Sequence, residues 1–127
     1  MIIVDSSGWL QFLTDGPLAD YYARRLEQPA SVITPAIVVY EVYKHSKRLR
    51  GEDGAQDALA AMRNTRIVPL DEELALTAAD VSVELKLAMA DSIILATARK
   101  YETELVTSDD DFKEVPGVTY IPVPKTP

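Results

Sequence analysis

The chain contains no cysteine in its 127 residues. This absence excludes disulfide bonds, thiolate nucleophiles and zinc sites built on cysteine ligands. The chain also has no apolar run near the roughly 20 residues that a membrane-spanning helix requires. Because cysteine-free chains are compatible with reducing compartments, we expect a soluble, cytoplasmic protein that does not interact with membranes.

Basic residues are scarce, since 13 lysines and arginines face 20 acidic residues and the formal net charge is −7. This deficit argues against a protein that grips nucleic acid over a broad basic surface. A metal-dependent nuclease is compatible with an excess of acidic residues, because its carboxylates bind the cation and the cation contacts the phosphate. The charge therefore lowers the expectation of a nucleic-acid substrate without excluding one.

Short apolar segments alternate with segments of helical periodicity along the whole chain, and hydrophobic residues make up 47% of it. This alternation is typical of a parallel sheet covered by helices on both faces. The length fits one domain, residues 1–127. We therefore predict a single α/β domain with about four to five short parallel strands, at residues 2–5, 31–34, 66–70, 104–107 and 119–121.

The predicted helices follow from apolar spacing and from their end signals. Thr34 before Pro35 predicts a helix start, with the Thr34 hydroxyl as the cap. That helix is expected to end before Gly51, and residues 6–8 are predicted to form a turn. The predicted helices cover residues 9–13, 18–27, 35–49, 53–63, 71–87 and 91–101.

Four acidic residues stand at the edges of apolar segments that are far apart in sequence. Asp5 and Asp109 follow predicted strands, Glu41 lies inside a helix, and Asp91 begins one. Open parallel sheets bind ligands beyond the carboxyl ends of their strands, which is where Asp5 and Asp109 fall. Clustered carboxylates repel one another and lose solvation, so a divalent cation is the expected compensator. A carboxylate-bound cation in turn indicates phosphate chemistry.

Each of these acids also has a structural explanation when it is taken alone. Asp5 and Asp91 suit the cap or first turn of a helix. A single helical glutamate such as Glu41 is usually exposed to solvent. Asp109 opens a run of three aspartates, which is most often a solvated turn. The metal-site hypothesis therefore depends on the four acids together.

The chain resembles a known family, the PIN-domain ribonucleases, and within it the VapC-type toxins of prokaryotic toxin–antitoxin pairs. The resemblance lies in residues 3–7, in Glu41 after Thr34–Pro35, in residues 86–98 and in residues 105–112. Its specific parts are Asp-Ser-Ile-Ile-Leu-Ala-Thr-Ala and Val-Thr-Ser-Asp-Asp-Asp-Phe. It implies endonucleolytic cleavage of RNA, either tRNA or rRNA, that depends on Mg²⁺ or Mn²⁺. It further implies inhibition by a cognate antitoxin protein and assembly into a homodimer.

The resemblance also assigns roles to individual residues. The family's catalytic acids fall on Asp5, Glu41, Asp91 and Asp109. Of these, Asp5, Asp91 and Asp109 are the expected metal ligands, and Glu41 is expected to orient the attacking water. The family's supporting positions, which orient carboxylates or water around the site, fall on Ser7, Thr107 and Asp111.

Two questions stay open at the level of the sequence. Lys44 and Arg48 lie on the helical face of Glu41 and are candidate RNA contacts, but cations near a helix end also stabilise its dipole. The function could also be that of a PIN-like module that binds without catalysis. A response-regulator receiver domain is a weaker alternative, because it requires an acidic pair after its first strand, where Asp5 is followed by Ser6.

Overall fold

A computed structural model describes residues 1–125, so the predicted domain end at residue 127 lies outside the described residues. The strands are β1 (Ile2–Val4), β2 (Val32–Pro35), β3 (Arg66–Val68), β4 (Glu104–Thr107) and β5 (Val118–Tyr120). The helices are α1 (Ser6–Leu13), α2 (Ala19–Arg25), α3 (Ala36–Arg63), α4 (Glu72–Leu85) and α5 (Met89–Lys100). Short 3₁₀ turns cover Pro29–Ser31 and Asp110–Phe112.

All five strands are parallel and form one sheet in the order β3-β2-β1-β4-β5. The chain moves outward from β1 through β2 to β3 and then returns past β1 to form β4. The helices pack in two groups, α1 with α2 and α3, and α4 with α5. With this strand order, the right-handed crossovers that parallel sheets follow put the two groups on opposite faces. The predicted α/β fold is confirmed, and the connection reverses direction between β1 and β4, where parallel sheets open a ligand crevice.

The core is centred on the inner strands and on α5. Residues Asp91 to Ala98 of α5 are all buried, which explains the near-continuous apolar character of that segment. Full burial of one large apolar side chain contributes about 1.5–3 kcal/mol, and Trp9, Tyr22 and Phe112 are at most 2% exposed. Within residues 1–125, no helix has both the length and the apolar character needed to cross a membrane.

Two helix starts differ from the prediction. Residues 6–8 are the first residues of α1 and do not form a turn, because the Asp5 carboxylate accepts a hydrogen bond from the backbone N–H of Ser7 and caps the helix. Thr34 does not cap α3. It belongs to β2, and its Oγ1 lies 2.6 Å from Thr65 Oγ1, while Pro35 takes the cap position without a side-chain bond.

The predicted interruption at Gly51 is confirmed inside α3. Gly51 has φ 69° and ψ −162°, which lie outside the helical region, so two helical halves meet there. Glycine adopts positive φ without the steric penalty that a Cβ atom brings. The first half of α3 carries Glu41, and the non-helical backbone at Gly51 separates it from the second half.

Candidate active site

The four predicted acids meet at the edge of the sheet where β1 and β4 end. Asp5 follows β1 and Asp109 lies two residues beyond β4, and these two strands are hydrogen-bonded neighbours. Glu41 comes from the second turn of α3 and Asp91 from the first turn of α5. The structure thus brings together side chains that are far apart in sequence. The most distant two, Asp5 and Asp109, are separated by 104 positions.

Asp5 is 1% exposed and is held by hydroxyl groups on both of its oxygens. Its Oδ1 accepts from the Ser7 backbone N–H at 2.5 Å and from Ser7 Oγ at 2.7 Å. Its Oδ2 accepts from Thr107 Oγ1 at 2.5 Å. Asp5 is therefore both the cap of α1 and a fixed acid of the site, and Ser7 and Thr107 lie directly against it.

The same hydroxyl groups connect the end of β1 to the end of β4. The backbone N–H of Ser108 donates to Ser7 Oγ at 2.9 Å, and that of Asp109 donates to Thr107 Oγ1 at 3.0 Å. Behind them, the hydroxyls of Tyr22 and Ser108 lie 2.6 Å apart in the core. Since each hydroxyl both donates and accepts, this network fixes the direction of the Asp5 carboxylate.

Three carboxylates lie close enough together to bind one cation. Asp91, Asp109 and Asp111 each offer one oxygen, and these oxygens all lie within 4.8 Å of one another. The Asp111 backbone N–H donates to Asp109 Oδ1 at 2.9 Å and fixes the turn. Carboxylate oxygens are the donors that Mg²⁺ and Mn²⁺ prefer, so the residues fit such an ion.

Asp5 stands outside this group of three, and its role as a metal ligand stays a prediction. From the described residues its Oδ2 accepts one hydrogen bond, which leaves that oxygen a lone pair for an ion. One oxygen of Asp111 lies within 4.8 Å of an oxygen of Asp91 and of one of Asp109. Among the described residues, Asp111 therefore joins two of the three predicted ligands, Asp91 and Asp109, although the sequence predicted a supporting role for it.

Ser6 was not predicted as a site residue, yet its hydroxyl binds the carboxylate of Glu41. Ser6 Oγ donates to Glu41 Oε1 at 2.9 Å, and Glu41 is partly buried. The only signal in the sequence is that Ser6 adjoins Asp5 and begins α1. Because Ser6 occupies Oε1, the other oxygen of Glu41 stays available to a ligand in the cleft.

Burial and mutual repulsion disfavour the charged forms of these acids. Burial raises the pKa of Asp91, and repulsion from Asp109 raises it further, to about 7. Burial also raises the pKa of Asp5 and that of Glu41, and the charge of Asp109 adds to both shifts. In residues 1–125 the ion pairs are Arg25–Glu104, Lys47–Glu52 and Lys100–Asp71, so no lysine or arginine neutralises the site.

We expect the metal-free protein to lose stability as the pH rises from about 5 to about 8. The pKa of Asp91 in the folded state lies above its ordinary value of 3.8, so the folded protein binds more protons than the unfolded chain in this window. Thermal unfolding in EDTA at both pH values measures the effect. An Asp91→Asn variant should show a smaller change, and an equal change would contradict the assignment.

Lys44 and Arg48 line a separate groove, and none of the four acids is part of its lining. The groove measures about 640 Å³ and runs along α3, lined also by Val39, Tyr40 and Tyr43. Lys44 Nζ lies 5.4 Å from the centre of the Tyr40 ring. Both cations are on the half of α3 that carries Glu41, and their contact with RNA stays a prediction.

Comparison with known proteins agrees with this arrangement. The PIN domain family matches residues 2–118. A chain of a toxin–antitoxin complex from Klebsiella pneumoniae is 28% identical, with a TM-score of 0.76 over 94% of this chain and 96% of that one. No curated protein sequence gives a significant match.

Two further solved structures share the fold at lower identity. The Mycobacterium tuberculosis toxin VapC20, which cleaves the sarcin–ricin loop, is 24% identical with a TM-score of 0.75, over 93% of this chain and 97% of that one. DNA-bound VapBC from Salmonella typhimurium is 15% identical with a TM-score of 0.78, over 97% and 98%. The predicted resemblance is confirmed, and this chain belongs to the PIN domain family.

Proposed function

We propose that this chain is a metal-dependent endoribonuclease that acts as the toxin of a toxin–antitoxin pair. The observation that supports this most directly is the meeting of Asp5, Glu41, Asp91 and Asp109 at one edge of the sheet, with no lysine or arginine of the described residues paired to them. A hard cation compensates the mutual repulsion of such carboxylates and prefers their oxygens as ligands. Membership in the PIN family removes the receiver-domain alternative.

In this proposal Asp5, Asp91 and Asp109 hold Mg²⁺ or Mn²⁺, and Asp111 lies close enough to join them. When bound, the ion lowers the pKa of the attacking water and neutralises charge on the scissile phosphate. The hydroxyls of Ser7 and Thr107 keep the Asp5 carboxylate in one orientation, so that its oxygens need no reorganisation when RNA arrives.

Glu41 is the residue that we assign to the attacking water. Ser6 holds its Oε1, which leaves Oε2 to orient the water and to accept its proton. Burial raises the pKa of Glu41, and a pKa nearer to neutrality suits a carboxylate that takes up a proton during a reaction. Lys44 and Arg48 on the same helix would contact RNA phosphates beside the cleft.

The partners are proposed from relatives. The Klebsiella pneumoniae relative comes from a toxin–antitoxin complex, and VapC20 cleaves the sarcin–ricin loop. We propose tRNA or rRNA as the substrate, a cognate antitoxin as the inhibitor and a homodimer as the assembly. A small DNA-binding protein encoded beside this chain would support the toxin assignment.

Cleavage assays with tRNA and rRNA test this function. We expect endonucleolytic products with Mg²⁺ or Mn²⁺ and none after EDTA removes the ion, because the acids alone cannot stabilise the charge on the phosphate. A PIN-like module without catalysis would bind RNA and leave it intact with either ion. Cleavage that persists in EDTA would also contradict the proposal.

A further inference from the structure

The loop that joins α4 to α5 holds a lysine in an unusual backbone conformation. Lys86 follows α4 with φ 58° and ψ 38°, in the left-handed region that favours glycine. Ser82 Oγ donates to the carbonyl oxygen of Leu87 at 2.7 Å, and Leu87 is 9% exposed. The loop is thus anchored on both sides of Lys86, while the lysine itself is exposed.

This loop forms one wall of a groove that reaches the candidate metal site. The groove measures about 410 Å³, which is within the size range of about 300–1,000 Å³ for small-ligand sites. Its other wall is formed by Asp111, Glu114, Val115 and Pro116. Because Asp111 also belongs to the group of three carboxylates, the groove opens directly beside the place for the cation.

Lys86 is the one cation among the described residues that line the groove, Asp111 and Glu114 are its two carboxylates, and the ion pairs within residues 1–125 do not include Lys86. A lysine ammonium binds phosphate as a point charge. Aromatic residues are missing from the described lining, so the groove provides no platform on which a base could stack. The lining offers Lys86 to a phosphate and no surface to a base, so it fits the sugar–phosphate chain of a nucleic acid better than a stacked base.

We propose that this groove binds the RNA nucleotide next to the scissile phosphate, with Lys86 contacting the phosphate of that nucleotide. The proposal rests on the proposed ribonuclease function and extends it, because it assigns a substrate contact to Lys86 in the loop between α4 and α5. Lys86 binds substrate here and takes no part in the chemical step.

Binding measurements on charge variants test this contact. The probe is a fluorescein-labelled single-stranded RNA of about 20 nucleotides, with the Asp91→Asn background used to suppress cleavage. Lys86→Gln should weaken binding about fivefold and reduce the slope of log K against log salt by about 0.7, the value for one lost phosphate contact. Lys86→Arg should keep both values, because it keeps the charge.

A pair of glycine variants separates the side chain from the backbone. Lys86→Gly and Glu102→Gly each relieve a left-handed residue, and Glu102 (φ 52°) precedes β4 at the opposite edge of the sheet. Neither should lower the melting temperature, since glycine adopts this conformation freely. Only Lys86→Gly should weaken RNA binding. Equal effects of the two variants on RNA binding would overturn the proposal.

Cleavage kinetics distinguish failure of this proposal from failure of the proposed function. With Asp91 intact, Lys86→Gln should raise KM about fivefold and leave kcat within about twofold, as loss of uniform binding does.

If the parent protein cleaves RNA and Lys86→Gln changes neither KM nor the salt slope, the groove assignment is wrong and the ribonuclease stands. If Lys86→Gln impairs binding of RNA that the parent does not cleave, the groove stands and the ribonuclease fails. Loss of antitoxin binding with unchanged RNA binding would also overturn the assignment.

Discussion

Replacing Asp91 with asparagine should reduce metal-dependent RNA cleavage by about 10³-fold or more. Asp91 is one of three carboxylates whose oxygens lie within 4.8 Å of one another, and an amide there is a weaker, uncharged ligand. Binding of a cation to the folded state raises stability by about 2.7 kcal/mol at a hundredfold excess over Kd. Mg²⁺ or Mn²⁺ should therefore raise the melting temperature of the parent protein and not that of the variant.

The same substitution should leave the metal-free protein as stable as before, or more stable. The pKa of Asp91 is raised to about 7 by burial and by Asp109, so its ionised form is penalised in the fold at neutral pH. Removing that charge is expected to add about 1 kcal/mol, after allowance for solvent screening. Thermal unfolding in EDTA at pH near 8 measures this gain.

Asp80→Asn is the matched control, because Asp80 is an exposed acid of α4. It should change neither cleavage nor the response to metal. Asp5 is a poorer choice for the test, since asparagine would turn an N–H₂ group towards Ser7 or Thr107, which now donate to it. Full metal-dependent cleavage by Asp91→Asn would remove Asp91 from the site.

Replacing Gly8 with alanine should destabilise the protein by about 2–3 kcal/mol, which is the cost of overpacking a tight interior. A Cβ atom at Gly8 would lie 2.4 Å from Tyr22 Cε1 and 2.6 Å from Val4 Cγ1. Both neighbours are buried in the core, so neither can move without displacing others. The melting temperature should fall by roughly 10 °C.

This substitution should also lower cleavage at temperatures where the variant is still folded. Gly8 follows Ser7, which holds Asp5, and Tyr22 reaches Ser108 in the same network. Displacing α1 from α2 therefore moves the hydroxyls that orient the acid. Gly16→Ala is the control, because the atoms nearest to its new Cβ are at the end of the Gln11 side chain, which can move at the cost of the hydrogen bond that it accepts from the Leu18 N–H. Comparable losses of stability in the two variants would contradict this explanation.

Local sequence signals placed several elements correctly and failed at two helix starts. Gly51 interrupts α3 where expected, and Asp71 caps α4 by accepting from the Leu74 N–H at 2.8 Å. The start of α1 and the cap of α3 were wrong. The start of α1 is decided locally, because the Asp5 carboxylate caps it through the Ser7 N–H. The cap of α3 is decided by a tertiary contact, because Thr34 lies in β2 with its hydroxyl against Thr65, and such a contact overrides local propensity.

The sequence by itself determined that short buried strands alternate with helices and that acids stand at their ends, because burial follows the period of the apolar residues. It did not determine which strands are neighbours. Only the tertiary structure decided that β1 lies beside β4, that Thr107 bonds to Asp5 across 102 positions, and that Ser6 holds Glu41. Such contacts depend on strand order and crossover direction, and no short window of residues carries that information.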